Sequence, residues 1–436
     1  MPESQLDTLV PEQDYLGLLG SQARPFFRLA GTLLANGDEG WTKRHFFQTH
    51  TEADELESFL DDYGARYNRT YHLFTELVAS VRGFAIAGLH LAHLATRLEG
   101  YGALRDLQPE DRDRALASVA FSRSFIRGTL KTLLQALLNE AAALGLDVPD
   151  EALPKDAFAK RTQRFRLPRN LDQEELQDEE QRIAEVSTKY LQACTMLEEA
   201  SVRSIPDPRE RETYLREFCT EEHARVYEAT VHNLQSAYDT YIKNTVLEGR
   251  DERLPRLRGH VSSCLHLLEV VTQLTHFVER HENGERTDAA EKSLARLVDP
   301  GAVREVTLNH MLVWADTLLQ TGREIANDLL PSYTNVQTLQ VEVDATLTVH
   351  ARPASLIVAI VNHYGTPVEL VVAGQSCNAG SILELMIAIG SHPDERKYTI
   401  HGDERPLRDI KLLFENRLGE DGLDSLPAEL AYLKKA

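Results

Sequence analysis

The four cysteines in 436 residues, Cys194, Cys219, Cys264 and Cys377, lie far apart with no Cys-x-x-Cys pair. That spacing excludes a disulfide scaffold and a zinc ribbon, and it fits a reducing, cytoplasmic compartment. Basic residues are outnumbered, 47 Lys+Arg against 68 Asp+Glu, giving a formal charge of −21. Such a surface repels phosphate backbones and anionic head groups, so nucleic acid is not an expected partner. Long hydrophobic runs are also lacking. The longest apolar-looking stretch, 83–96, sits between Arg82 and Arg97 and holds two histidines, short of the roughly 20 residues that cross a bilayer. The start, Met1-Pro-Glu-Ser-Gln-Leu-Asp, has neither the basic residues nor the apolar core of a secretory signal. A protein not inserted in a membrane is expected.

What is present is helical periodicity. Hydrophobic residues at 42% and charged residues at 26% suit a globular chain, and the length allows two to four domains. From about residue 50 to Leu330, apolar positions recur at three- and four-residue steps, which predicts long helices. Over 69–98 the seam is Phe74, Leu77, Val81, Phe84, Gly88, Leu91, Ala95 and Leu98, with the glycine permitting close approach of a neighbour. Pro109 and Gly145 bracket a second helix, and a third is expected from about Leu171. Asp207-Pro208 opens one that closes at Gly249, followed by another over 257–283. The last two start at Asp288 and at Asp299-Pro300 and end before Pro331. These elements predict an all-α bundle or array over residues 1–335.

Within this region the stretch 155–169 is basic, with Lys155, Lys160, Arg161, Arg164, Arg166 and Arg169 against a single Asp156. The acidic run 172–180 beside it makes internal neutralisation the expectation. His90 and His93 share a helix turn at metal-ligand spacing, but no carboxylate accompanies them before Glu99, so no metal site is expected. Glu222-His223 lacks the paired Glu-x-x-His turns of a di-iron bundle. His72, His232 and His310 stand on predicted helices with no flanking pattern that singles one out.

After Pro331 the pattern changes. Leu339-Gln-Val-Glu-Val-Asp-Ala-Thr-Leu alternates with period two, a half-buried strand over 339–348. The reading continues as helix 351–364, strand 367–372, a turn at Ala373-Gly374, strand 375–378, helix 381–389, strand 397–401 and helix 406–417. Domains are therefore expected at 1–335 and 336–420, with a C-terminal tail at 421–436. Between the first strand and helix lies Thr348-Val-His350-Ala351-Arg352-Pro353-Ala354. A histidine at a helix start, with proline in the first turn and an arginine fork beside it, places a nucleophilic imidazole against an anion-binding helix end. Ser381-x-x-Glu384 reads as a capping box.

The sequence His350-Ala-Arg-Pro-Ala after a first strand, with Gly380-Ser381-Ile-Leu-Glu-Leu-Met386 beginning 30 residues later, resembles the HPr family. HPr is the histidine phosphocarrier of the bacterial phosphoenolpyruvate-dependent phosphotransferase system. The resemblance covers about 80 residues and implies an α+β open-faced β-sandwich. It implies that His350 accepts phosphate at Nδ1 from enzyme I and passes it to a permease component or regulatory protein, with Arg352 as the clamp and no cofactor. It places Ser381 where some family members are phosphorylated by an ATP-dependent kinase, and Ile382, Leu383 and Met386 on the partner-docking face. Thr348-Val349 departs from the usual Gly-Leu, and no lysine accompanies Glu384 on the docking helix. Two functional readings follow: a phosphocarrier whose helical part tethers it to a partner or oligomer, or an interaction protein in which His350 phosphorylation is a signal read out by the helices.

Overall fold

The computed structural model describes residues 9–36, 40–154, 157–158, 179–282, 288–344 and 346–435. The basic stretch 155–169 therefore falls outside the described residues, apart from Ala157 and Phe158. The chain divides into two units. One comprises Met1–Asn170, Met196–His232 and Gly259–Thr321, and the other Leu171–Thr195, Asn233–Arg258 and Gly322–Ala436.

The first unit begins with two helices that the apolar pattern did not announce, α1 (Glu12–Ala35) and α2 (Lys43–Asp62). Helix α2 is capped unusually. Thr42 accepts from the N3 backbone, and the side chain of His45, where Glu or Gln is the usual residue, accepts from the Thr42 N–H at 3.0 Å. Helices α3 (His72–Tyr101) and α4 (Pro109–Ala143) match the reading closely. Along the α3 seam, Phe74, Leu77, Val81, Phe84, Leu91 and Leu98 are buried. Gly88 meets the ring of Phe46 so closely that a Cβ there would collide with it, which is the close approach the glycine foreshadowed. By length and hydropathy α3 could cross a membrane, but 61% of its most apolar window is buried within the protein, as in a core helix.

Further on, the periodicity overran its breaks. The helix expected from Asp207 to Gly249 is three: α6 (Pro208–Phe218), α7 (Glu221–Tyr241) and α8 (Val246–Arg250), after α5 (Glu179–Glu199). The first break is stabilised by polar partners. The Tyr227 hydroxyl donates to the Phe218 carbonyl at 2.6 Å, and Thr220 Oγ1 and Glu279 Oε1 accept from the His223 and Glu221 N–H groups at 3.2 and 2.7 Å. Helices α9 (Arg253–Glu282) and α10 (Asp288–Leu297) follow. The final helix of the reading is likewise divided into α11 (Pro300–Glu305), a π-helical turn at Val306–Leu312, α12 (Val313–Thr321) and α13 (Arg323–Leu329). Asn309 in the π turn bonds both the N–H and the carbonyl of Ile205, at 2.7 and 2.9 Å.

The second unit holds β1 (Val336–Glu342), α14 (Ala351–Tyr364), β2 (Val368–Val372), β3 (Gln375–Asn378), α15 (Ile382–Ser391), β4 (Lys397–Asp403) and α16 (Glu404–Glu415). The strands form one antiparallel sheet in the order β1-β4-β2-β3. Alternation sets the inner face: Val368, Leu370 and Val372 of β2 are buried, and Leu370 lies opposite both Ile400 and Cys377. Ile357, Ile360, Leu385, Ala388, Ile410 and Leu413 of the three helices complete the core. This is the α+β, open-sheet architecture anticipated for the C-terminal region. The residues read as a tail pack as well. They form 3₁₀ turns at Leu423–Ser425 and Ala428–Lys435, with Leu426, Leu430 and Leu433 buried in the same core.

Candidate functional site

The segment leading to His350 is shaped by side chains, and this is why β1 ends at Glu342 rather than at 348. Asp344 Oδ1 accepts from both the N–H and the hydroxyl of Thr346, at 2.7 and 2.6 Å, diverting the backbone from the sheet into an Asx turn. These bonds hold the Asp344 carboxyl below the usual carboxylate range. Leu347 is buried as an anchor. Arg396, at the start of the neighbouring strand connection, donates to the carbonyls of Asp344 and Leu347 at 2.9 and 3.2 Å.

His350 then occupies the N-cap of α14 with extended backbone, φ −112° and ψ −170°. Its Nδ1 accepts from the Arg352 N–H over a long 3.4 Å. The other first-turn amides contribute less than the sequence suggested, since Pro353 has none and Ala354 donates to the His350 carbonyl at 3.1 Å. Pro353 and Ala354 are buried under the helix start, whereas Ala351 and Arg352 are exposed. The His350 side chain is 51% accessible. It is presented to solvent while fixed at one ring nitrogen.

The other nitrogen faces a residue that the sequence reading did not include. Nε2 of His350 lies 3.1 Å from Oε1 of Glu420, an oxygen shielded from solvent. Glu420 arrives there because the chain after α16 reverses through Arg417, Leu418 and Gly419, with φ of 53°, 56° and 73°. Leu418 is buried beside α14, and a Cβ at Gly419 would stand 2.8 Å from Leu356 Cδ1. The donor and acceptor roles are mutually consistent. Nδ1 takes an N–H, so it carries the lone pair and the ring proton belongs on Nε2, near the Glu420 oxygen but outside hydrogen-bond geometry with it.

Helix α15 lies in the same core. Ser381 is its N-cap, with Oγ accepting from the Glu384 N–H at 3.3 Å. The reciprocal half of the expected capping box is absent: Glu384 Oε2 accepts from the Asn378 N–H at 3.0 Å, while the Ser381 N–H goes to the Asn378 carbonyl. Ile382 and Leu383 are exposed. Met386 is half-buried and packs against the core, and the exposed residue beside it is Ile387, at 53%. The sequence reading did not select Ile387, although it follows Leu383 by one helical turn.

Residues 337–404 match the family model described as the PTS HPr component phosphorylation site. The C-terminal region carries an HPr domain. No curated protein and no solved structure matches the chain, and the helical region has no family match. HPr domains take phosphoryl groups from enzyme I and pass them to other components of the phosphotransferase system, so the domain points to a phosphocarrier role. The matched span includes His350, Arg352 and Ser381 but ends before the turn that carries Glu420.

The remaining histidines of the reading are accounted for individually. His72 Nδ1 bonds the Arg66 carbonyl at 2.7 Å, His310 Nδ1 lies 2.6 Å from the Ser118 hydroxyl, and His232 is exposed on α7. His223 stacks on Tyr227. His90 and His93 do not form a pair by themselves. Both meet His266 of α9.

Proposed function

We propose that Nδ1 of His350 accepts a phosphoryl group from phosphorylated enzyme I and that the chain hands it on to a permease component or regulatory protein. The observation that carries this reading is the placement of the ring: Nδ1 accepts an N–H at an exposed helix start, and Nε2 stands 3.1 Å from the Glu420 carboxylate. In the transfer, the Nδ1 lone pair forms the new bond to phosphorus as the bond to the donor breaks and its electron pair returns to the donor. The Nε2 proton stays on the ring, and the Glu420 carboxylate beside it offsets the positive charge that develops there. The Arg352 amide, released from Nδ1, and the Arg352 guanidinium are then placed to bind phosphate oxygens.

In this reading the exposed face of Ile382, Leu383 and Ile387 receives donor and acceptor proteins, with Met386 lending adaptable packing beneath it. Ser381 is a regulatory phosphorylation position in which a phosphate would gain the helix end and meet the Glu384 carboxylate. The carrier domain would extend past the matched residues to Leu433, because its core does.

The test is incubation with phosphoenolpyruvate and enzyme I. Acid-labile label on the wild type and none on His350→Ala is the expected result, and an unlabelled wild type refutes the proposal. Peptide mass mapping after incubation with ATP and the cognate kinase decides Ser381.

A further inference from the structure

Helices α3 and α9 meet at backbone contact. A Cβ on Gly259 would strike the Tyr101 carbonyl, so the two helices cross with nothing between them there. Just beyond the crossing, His90 of α3 meets His266 and Glu269, one turn apart on α9. Glu269 Oε2 lies 2.5 Å from His90 Nδ1 and 2.7 Å from His266 Nδ1. The three ligand atoms fall within 4.8 Å of one another. Their side chains are only 27%, 13% and 16% accessible, so the convergence is not an accident of mobile surface groups.

A supporting layer fixes the rings. Lys43 Nζ lies 2.9 Å from His93 Nδ1, His93 Nε2 lies 3.2 Å from the Tyr101 hydroxyl, and that hydroxyl lies 3.3 Å from His266 Nε2. Both nitrogens of His93 are thus occupied, which keeps it out of the ligand set. The phenol oxygen can accept a hydrogen bond from the His266 Nε2–H, so Nδ1, which faces Glu269 at 2.7 Å, is the nitrogen that would ligate. This is the outer-shell bond that metal-binding histidines commonly make.

We propose that His90, His266 and Glu269 bind a divalent transition-metal ion of the Zn²⁺ class, clasping α3 to α9 in the helical unit. Two imidazoles and a carboxylate suit Zn²⁺, Co²⁺ or Cu²⁺ better than Mg²⁺ or Ca²⁺. Ligand bonds of about 2.0–2.2 Å set ligand atoms roughly 3.3 Å apart, so each imidazole nitrogen needs to draw back from the Glu269 oxygen by less than about 1 Å. Three protein ligands leave a fourth position for water.

The test uses the full chain, stripped with chelator and titrated with Zn²⁺ by calorimetry. One equivalent is expected to bind and raise the unfolding temperature, with affinity lowered at least about tenfold in His90→Gln and in Glu269→Gln. No saturable equivalent in the wild type, or unchanged affinity in both folded variants, overturns the proposal. If a variant does not fold, the electron spin echo of one equivalent of Cu²⁺ on the wild type decides. Two or more coordinated imidazoles support the site, and fewer overturn it.

Discussion

Glu420 stands at the second nitrogen of the His350 ring, its Oε1 3.1 Å from Nε2, while the Arg352 N–H holds Nδ1 at 3.4 Å. A carboxylate beside the second nitrogen offsets the positive charge the ring acquires as Nδ1 bonds phosphorus. Glu420→Gln keeps the shape and removes the charge. Label transfer to His350 from enzyme I is expected to slow about tenfold, the effect of roughly 1.4 kcal/mol in a barrier. Glu420→Asp should fall between the two. Equal rates in all three proteins would remove Glu420 from the site.

The approach of Glu420 depends on Gly419. Its φ is 73°, and a Cβ there would stand only 2.8 Å from Leu356 Cδ1, which leaves no room for a side chain. Gly419→Ala is expected to destabilise the protein by about 1–3 kcal/mol in urea unfolding, through left-handed strain and crowding of α14. It should slow label transfer as well, because the turn that carries the carboxylate would shift. Gly422→Ala, at a positive φ of 102° with nothing within 4 Å of the new Cβ, should show backbone strain alone and serves as the comparison.

Residue by residue, the sequence was legible wherever a local rule sufficed. Helix α14 and strand β3 fall where the reading placed them, because a first-turn proline, a closing Gly365 and a two-residue turn at Ala373-Gly374 are local signals. Glu420 had no such signal. Two of the three left-handed residues that deliver it are Arg417 and Leu418, side chains that do not announce a positive φ. The carboxylate beside His90 comes from another helix, so a search along one turn could not find it. The same holds for the break at Cys219, whose bonds reach Tyr227 and Glu279. The start of α2 was hidden because His45 fills a position where glutamate is the expected signal.

The packed C-terminus supplies a third test. Leu430 is fully buried in the core, and the Tyr432 ring stacks on His363 with centroids 3.9 Å apart. Tyr432 and Tyr364 both donate to Asp409 Oδ2, at 2.9 and 2.7 Å. Burial, followed by the bond to Asp409, pushes the Tyr364 phenol up to about 12. Leu430→Ala is expected to cost about 2–5 kcal/mol in urea unfolding, as for other cavity-forming substitutions. A loss under about 0.5 kcal/mol, the range of ordinary surface changes, would show that these last turns detach from the core in solution.

Acid should weaken the start of α2 before it affects most carboxylates. Burial lowers the pKa of His45 below the ordinary histidine value, so the folded protein favours the neutral ring, whose Nδ1 accepts from the Thr42 N–H at 3.0 Å. The unfolded chain takes up its proton first. The stability contributed is therefore complete above about pH 6.5 and is lost as pH falls through the lower folded value. Protonation also turns Nδ1 into a donor, which can still bond the Thr42 hydroxyl 2.9 Å away but can no longer accept from the Thr42 N–H, and that half of the cap, worth about 1 kcal/mol, is lost. His50 and His310 are lowered by burial as well and act in the same direction, so His45→Gln should remove only part of the slope. Glutamine can cap the Thr42 N–H without titrating. Urea unfolding at pH 7.5 and at pH 5 is expected to show a smaller loss of stability for His45→Gln than for the wild type. An equal loss would mean that the His45 ring does not cap the helix in solution.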